Sequence, residues 1–130
     1  MILGVDLGKK TTGLAISQGT IAAPYKTISH QSTKQLISPI IQIIEQETID
    51  TVVIGYVEGT IKPLFENFAK KLKALKPDLK IIMWDETLTT RQAKDLQIKL
   101  QVSKTKRSIR EHEIAASFLL QSYLDSQPNF

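Results

Sequence analysis

The chain contains no cysteine, which excludes a disulfide scaffold and a metal site built from thiolates. It has no apolar run of the roughly 18 residues that a membrane-spanning helix needs. The opening residues, MILGVDLG, lack the basic segment of a signal peptide and carry an early aspartate, so they predict a first strand. Internal repeats, linkers and low-complexity segments are also missing. We therefore expect a single domain over residues 1–130 in a soluble cytoplasmic protein with no membrane partner.

Basic charge is concentrated in the second half of the chain. Residues 1–60 hold 4 lysines and 5 acidic residues, whereas residues 61–130 hold 13 basic and 8 acidic residues. A basic half predicts a polyanionic partner, because lysines that face phosphates release counterions. A solvated surface with no partner explains the same charges.

Five short β-rich runs predict the strands of one sheet. The first three are separated by tight turns, as in an antiparallel meander, and a proline in the third indicates an edge strand. The fourth is almost continuously apolar, as in a parallel strand covered on both faces. The five runs are Met1–Leu7, Thr12–Ser17, Ile21–Ile28, Thr51–Val57 and Leu79–Trp84.

Four helices are predicted from apolar spacing and capping signals. The first begins either at a capping box of Ser32 and Gln35 or at Ser38, with Pro39 as its first residue. The second has Thr60 as its cap and Pro63 near its start. The others are a third helix from Thr89 or Thr90 to about Leu100, and a last helix that begins at a capping box of Ser108 and Glu111, after a basic loop over Lys104–Arg107.

The predicted order is β-β-β-α-β-α-β-α-α. Three meander strands followed by two strands that are linked through helices indicate an α/β protein with one mixed five-stranded sheet. Helices are expected on both faces of this sheet.

Carboxylates follow two of the predicted strands. Asp6 ends the first strand, and Asp85 and Glu86 end the fifth. Ligands of α/β sheets bind beyond the carboxyl ends of the strands, and converging carboxylates need a cation such as Mg²⁺ or Mn²⁺. Such a site beside a basic half indicates metal-dependent cleavage of phosphodiester bonds. Alternatively, Asp6 binds turn amides and Asp85 caps a turn.

Four motifs resemble one known family in order and in approximate spacing. GVDLGKKTTGLAIS is similar to the GxDxGxKRxGxAxS opening of the YqgF/RuvX proteins, TVVIGYV to their iVvGlP strand, WDETLTT to their xDExxTT motif, and HEIAASFLLQSYLD to their DxxAAxxiLxxyL helix. These proteins are Holliday-junction-resolvase-like nucleases assigned to precursor 16S ribosomal RNA. The resemblance covers nearly the whole chain and implies an RNase H-like fold.

The resemblance also implies the catalytic residues. Asp6 matches the acid of the first strand, and Glu86 matches the acid of the DE pair, with Asp85 beside it as a further metal ligand. The third acid of the family is replaced by His112, three residues before Ala115. An imidazole binds Mn²⁺ more readily than Mg²⁺. His112 is therefore expected either to act as the third ligand or to be an ordinary surface histidine.

Three further acidic residues lie near these positions. Glu58 follows the fourth strand, where related resolvases carry an acid, although a solvated turn explains it equally. Glu111 is better explained as part of the helix cap than as a ligand. Glu113 lies about 100° around the helix from His112 and is expected to point elsewhere.

Basic side chains predict the contacts with nucleic acid. Lys9 and Lys10 follow Asp6 on a turn, where Thr11 and Thr12 could add hydroxyl donors to a phosphate. Thr89 and Thr90 match the TT of the family and are better explained as a helix cap. No base-reading signature accompanies the basic residues, so we expect strong salt dependence and little sequence specificity. The full predicted set is Lys9, Lys10, Arg91, Lys104, Lys106, Arg107 and Arg110.

The combined interpretation is a metal-dependent endonuclease with Mg²⁺ or Mn²⁺ as cofactor. In the role that the resemblance implies, it matures the 5′ end of pre-16S ribosomal RNA through in-line attack of water, without a covalent enzyme intermediate. The alternatives are a resolvase-like DNase acting on branched DNA and a non-catalytic module that binds RNA or a ribosome precursor. A monomer or a weak homodimer is expected.

Overall fold

The computed structural model describes residues 1–59, 61–85 and 104–128, and for residues 104–110 it describes the helical backbone alone. The strands are β1 (Ile2–Asp6), β2 (Thr11–Ser17), β3 (Ala23–Ser29), β4 (Thr51–Tyr56) and β5 (Lys80–Asp85). The helices are α1 (Lys34–Gln46), α2 (Lys62–Leu75) and α3 (Lys104–Ser126). The helix predicted from Thr89 or Thr90 to about Leu100 lies outside the described residues.

The five strands form one mixed sheet in the order β3-β2-β1-β4-β5. β2 pairs antiparallel with both β1 and β3, whereas β4 pairs parallel with both β1 and β5. This arrangement confirms the predicted meander followed by two parallel strands. Pro24 lies on the edge strand β3, where a missing N–H costs no ladder hydrogen bond, and the β2–β3 register shifts beside it.

Alternate residues of each strand face opposite layers of helix, as the period of two requires. Leu3 and Val5 of β1 pack with α1 and α2, in a cluster that includes Leu36 and Phe68. The other face packs against α3, and Gly4 lies so close to it that an added Cβ would stand 2.9 Å from the Cβ of Leu120. Helices therefore cover both faces of the sheet, as predicted.

The beginnings of α1 and α2 differ from the prediction. α1 has Thr33 as its N-cap, so both alternatives that started from Ser32 or Ser38 are wrong, and Pro39 lies inside the helix. The side-chain oxygen Oε1 of Gln35 accepts a hydrogen bond from the backbone N–H of Gln31 instead of completing a capping box with Ser32. α2 has Ile61 as its N-cap in place of Thr60, which lies outside the described residues.

The beginning of α3 is the larger correction. The backbone is already helical at Lys104, so the predicted basic loop over Lys104–Arg107 is wrong. The capping box at Ser108 is wrong for the same reason, because Ser108 lies inside the helix and Glu111 is not its N3 partner. Strong helix formers at Lys104, Lys106 and Arg107 favour extending the helix over starting it at a serine. None of the described helices is long and apolar enough to cross a membrane.

Candidate active site

Asp6 ends β1, the central strand of the sheet, with a glycine opposite it on each neighbouring strand. Its pairing partners are Gly13 on β2 and Gly55 on β4. Residues that pair across a ladder share a face of the sheet, and glycine places no side chain there. Neither neighbouring strand therefore adds a side chain beside the half-buried Asp6, which lies on the α3 face of the sheet.

His112 is brought to this same point by the packing of α3 on β2. A Cβ added at Gly13 would overlap the carbonyl group of His112, so the helix backbone lies directly over Gly13. Gly13 is the residue directly opposite Asp6 on β2, so the His112 backbone lies over the position next to Asp6. The first strand and the last helix therefore meet where the family resemblance predicts.

The three other acidic candidates are exposed or contact other side chains. Glu113 accepts a hydrogen bond of 3.2 Å from the Thr27 hydroxyl on β3, consistent with its expected direction away from His112. Glu111 is exposed on α3. Glu58 is exposed and forms an ion pair of 3.1 Å with Lys62.

Asp85 ends β5, two strands away from Asp6. It pairs with Tyr56, and strand alternation gives it the parity of Met83, which packs with the α1 and α2 cluster. Trp84 has the opposite parity, and its indole N–H donates a 3.3 Å hydrogen bond to Ser122 of α3. Asp6 and Trp84 therefore share the α3 face, and Asp85 is placed on the other. Glu86 lies outside the described residues.

The donor types at this edge of the sheet are those of a divalent-metal site. Within residues 1–59, 61–85 and 104–128, no three histidine or acidic side chains are grouped closely enough to hold an ion. The structure brings the positions of Asp6 and His112 together, and a carboxylate with an imidazole suits Mn²⁺ better than Mg²⁺. Asp6 and His112 are thus donors of a type that a divalent ion accepts, and Glu86, the third predicted ligand, lies outside the described residues.

The first pair of basic candidates lies on the β1–β2 turn. Lys9 and Lys10 are exposed, and neither lies in an ion pair within the described part of the chain. Lys9 also lines an open cleft of about 480 Å³ toward the beginnings of α1 and α2, together with Ser32, Thr33, Ile61, Leu64 and Asn67. The turn therefore presents positive charge close to the end of β1.

The remaining basic candidates are only partly located. Lys104, Lys106, Arg107 and Arg110 occupy the first two turns of α3, which lead along the helix to His112. Their side chains lie outside what the structure describes, as does Arg91, along with Thr89 and Thr90. Their contacts with nucleic acid remain predictions.

A buried histidine beneath the β1–β2 turn was missed by sequence reasoning. The Nε2 atom of His30 lies 2.9 Å from the Thr12 hydroxyl, and Thr12 is fully buried. The hydroxyl also accepts a 3.4 Å hydrogen bond from the Gly8 N–H, so its polar contacts lie inside the fold and it is not exposed to a phosphate as predicted. Burial lowers the pKa of His30. The signal was the alternation that puts His30 on the same face as half-buried Ile28.

Known proteins resemble this chain over nearly its whole length. Residues 1–126 match the family model described as "RuvX: Holliday junction resolvase". A protein of Thermoanaerobacter pseudethanolicus named "Putative pre-16S rRNA nuclease" is 38% identical, with 98% of each chain covered. A protein of the same name from Aster yellows witches'-broom phytoplasma is 43% identical, covering 95% of this chain and 87% of its own.

Two solved structures share the fold at low sequence identity. The fowlpox virus Holliday junction resolvase has a TM-score of 0.60 and 18% identity, with 97% of this chain and 99% of the viral chain covered. The RuvC protein of Thermus thermophilus, in complex with a Holliday junction substrate, has a TM-score of 0.58 and 12% identity, with 95% and 92% covered. This likeness confirms an RNase H-like architecture. The match over residues 1–126 and the identities of 38% and 43% place the chain in the RuvX (YqgF) family of nucleases, hydrolases that act on phosphodiester bonds.

Proposed function

We propose that this protein is a metal-dependent endonuclease that matures the 5′ end of precursor 16S ribosomal RNA. The observation that carries the proposal is the meeting of Asp6, Gly13 and His112 at the carboxyl end of β1. A carboxylate on the central strand and an imidazole on the last helix are thereby available to one ligand. The substrate is the one named for the relatives at 38% and 43% identity.

Each residue has a defined task in this proposal. Asp6, Glu86 and His112 would be the catalytic ligands of a divalent ion, Mg²⁺ or Mn²⁺. Asp85, expected from the sequence as a further ligand, is left out of this set because its position on β5 puts it on the opposite face of the sheet from Asp6. When bound, such an ion polarises the phosphodiester and favours attack by water. Gly55 adds no side chain beside Asp6, whereas the space over Gly13 is taken by the backbone of His112. Water in line with the leaving oxygen then breaks the bond without a covalent link to the protein.

Binding of the RNA falls to the basic residues around this edge. Lys9 and Lys10 would contact phosphates near Asp6, and the beginning of α3 would contribute a second basic segment. These contacts read the backbone and not the bases, so the position of the cut depends on RNA structure. An enzyme that trims one RNA end needs one active site, which a monomer or a weak homodimer supplies. Because its substrate would be precursor ribosomal RNA, we expect the protein in the cytoplasm.

A branched-DNA substrate is the second candidate. The matching family model carries the description of a Holliday junction resolvase, which favours it. A resolvase cuts two strands and therefore needs two sites, so it requires a stable dimer. A non-catalytic RNA-binding module is the third candidate, and it requires no metal at Asp6.

The first experiment measures cleavage of a precursor 16S leader RNA with Mn²⁺, with Mg²⁺ or with EDTA. Wild type is expected to cut with a divalent ion and not with EDTA. Asp6→Asn keeps the shape of the side chain but removes its charge, so it is expected to lower the rate at least a hundredfold. Asp50→Asn is the matched control, because Asp50 is an exposed carboxylate at the opposite end of the sheet.

A parallel reaction with a four-way DNA junction separates the candidates. Cutting of the junction in preference to the RNA would replace the ribosomal substrate with branched DNA. Salt-sensitive RNA binding without cutting, equal in wild type and Asp6→Asn, would leave the binding module as the explanation. Equal loss of cutting in Asp50→Asn would show that the effect of Asp6→Asn is not specific to the site.

A further inference from the structure

The β1–β2 turn, Gly8–Lys10, is held by hydrogen bonds from the segment that follows β3. His30 is 7% exposed, and its backbone N–H donates a 2.8 Å hydrogen bond to the Lys10 carbonyl oxygen. Its ring Nε2 lies 2.9 Å from the hydroxyl oxygen of buried Thr12. One residue therefore contacts the turn through both its backbone and its side chain.

Thr12 links His30 to Gly8 at the other end of the turn. Its hydroxyl oxygen accepts a hydrogen bond from the Gly8 N–H at 3.4 Å. Gly8 itself is required here, because a Cβ would overlap the Thr11 carbonyl group. The turn is thus closed by contacts at Gly8, Lys10 and Thr12, and His30 takes part in two of the three.

The buried position of His30 is not explained by packing alone. A leucine would fill an apolar site without burying polar atoms, and a buried polar group calls for a specific reason. The Nδ1 atom is buried and has no hydrogen-bond partner among the described residues. Burying the imidazole therefore costs free energy, and the hydrogen bond to Thr12 is the polar contact that offsets this cost.

The turn that His30 and Thr12 hold carries two exposed lysines close to the candidate active site. Lys9 and Lys10 come three and four residues after Asp6 and are exposed. Ser32 and Thr33, two and three residues after His30, line the same cleft as Lys9. His30 therefore joins the turn that carries Lys9 to the segment that leads to Ser32 and Thr33.

We propose that His30 is a positioning residue for the substrate, which acts through Thr12 to hold the turn so that Lys9 contacts a phosphate of the RNA next to Asp6. The inference rests on the proposed nuclease function and deepens it, because it assigns the origin of one backbone contact. His30 touches neither the substrate nor the reacting atoms. Its effect is therefore on binding and not on the chemical step.

A double-mutant cycle between two residues that need not touch tests this role. His30→Leu and Lys9→Gln are each expected to raise the Kd for the leader RNA about fivefold, which is the loss of roughly one phosphate contact. Both should raise KM with kcat changed less than twofold. The double variant is expected to bind no worse than His30→Leu alone, because the misplaced lysine has no contact left to lose. His30→Gln, whose amide can reach Thr12, should restore most of the binding.

Controls separate positioning from general loss of stability. Ile43→Val removes one methyl group from the buried face of α1, and it should lower stability while the effect of Lys9→Gln stays fivefold. Thr12→Val removes the hydroxyl at nearly constant volume and should reproduce His30→Leu if that variant folds poorly. Amide hydrogen exchange at Gly8 should accelerate in Thr12→Val and His30→Leu but not in Lys9→Gln.

The outcomes distinguish this inference from the function beneath it. Wild-type protein that fails to bind or cut the RNA would overturn both. Wild-type binding with additive losses in the double variant, or an unchanged Gly8 exchange rate in both turn variants, would overturn the role of His30 alone. Non-additive binding together with faster Gly8 exchange supports it.

Discussion

His112 is the side chain at which this chain departs from the pattern of the proteins it resembles. We expect His112→Asp to shift the preference of the nuclease from Mn²⁺ toward Mg²⁺, because carboxylate oxygen suits the harder ion. His112→Ala should lower the rate with both ions by a factor of about ten to a hundred, as for the loss of one supporting ligand. Cleavage rates measured across a titration of each metal give the comparison.

Glu113→Gln provides the matched control for this prediction. Gln keeps an acceptor for the Thr27 hydroxyl and removes one charge next to His112 in sequence. The metal preference should therefore stay that of wild type. If His112→Ala cuts as fast as wild type with either ion, His112 is not a ligand and the site lies entirely in carboxylates.

The lowered pKa of His30 makes the free energy of unfolding depend on pH. Burial lowers its pKa below the ordinary value of 6.5, so the unfolded chain binds the proton more tightly than the folded chain. The contribution of neutral His30 is thus fully present above about pH 6.5 and is lost as the pH falls toward and through the lowered pKa. Urea unfolding between pH 5 and 8 should show a fall in free energy that is smaller in His30→Gln. Identical pH profiles would contradict the prediction.

Single side chains were predictable where a motif carried them and not where tertiary contacts decide. Asp6 was placed correctly at the end of a strand because a β-rich run ends there. The buried pair of Thr12 and His30 joins positions 18 residues apart, and the alternation with Ile28 that marks His30 does not reveal its partner. The sequence therefore predicted that the Thr12 hydroxyl contacts a phosphate, whereas in the structure this hydroxyl holds the β1–β2 turn.

Among the helices and strands, the contact between α3 and β2 controls the site. Gly13→Ala would place a methyl group into the His112 carbonyl, so the helix must shift away from β2. We expect a loss of about 2 kcal/mol in the free energy of unfolding, as for overpacking, and a clear loss of cleavage. Gly19→Ala is the matched control, since a Cβ there meets nothing within 4 Å. Equal effects of the two substitutions in urea unfolding and cleavage assays would contradict this account.

The strands were more predictable from sequence than the helix beginnings. Alternating or continuous apolar runs specify a strand through its own residues, and all five were found. A helix beginning depends on which backbone N–H groups find other partners, and Thr33 caps α1 without any side-chain hydrogen bond. Pro39 is tolerated inside α1 although proline normally favours the first turn. Ser108 carries a capping pattern that a longer helix overrides.

For the molecule as a unit, the sheet separates two kinds of surface. The ends of β1 and β4 carry Asp6 and the β1–β2 turn, whereas the opposite edge carries Asp50 and the ion pair between Lys76 and Glu45. The groups assigned to the site come from two parts of the chain: Asp6, Lys9 and Lys10 from β1 and its turn, and His112 from α3. The charge asymmetry between the halves of the chain thus becomes useful only after folding brings α3 to β1 and β2.

The salt dependence of RNA binding tests which part of that charge contacts the substrate. Lys9→Gln combined with Lys10→Gln should lower the slope of log Kd against log salt by about 1.4, if each lysine neutralises one phosphate of single-stranded RNA. Lys70→Gln combined with Lys71→Gln removes the same charge from exposed positions of α2, and it should leave the slope within error of wild type. Filter binding between 50 and 300 mM salt measures both. If the two pairs lower the slope equally, net charge and not the turn beside Asp6 governs binding.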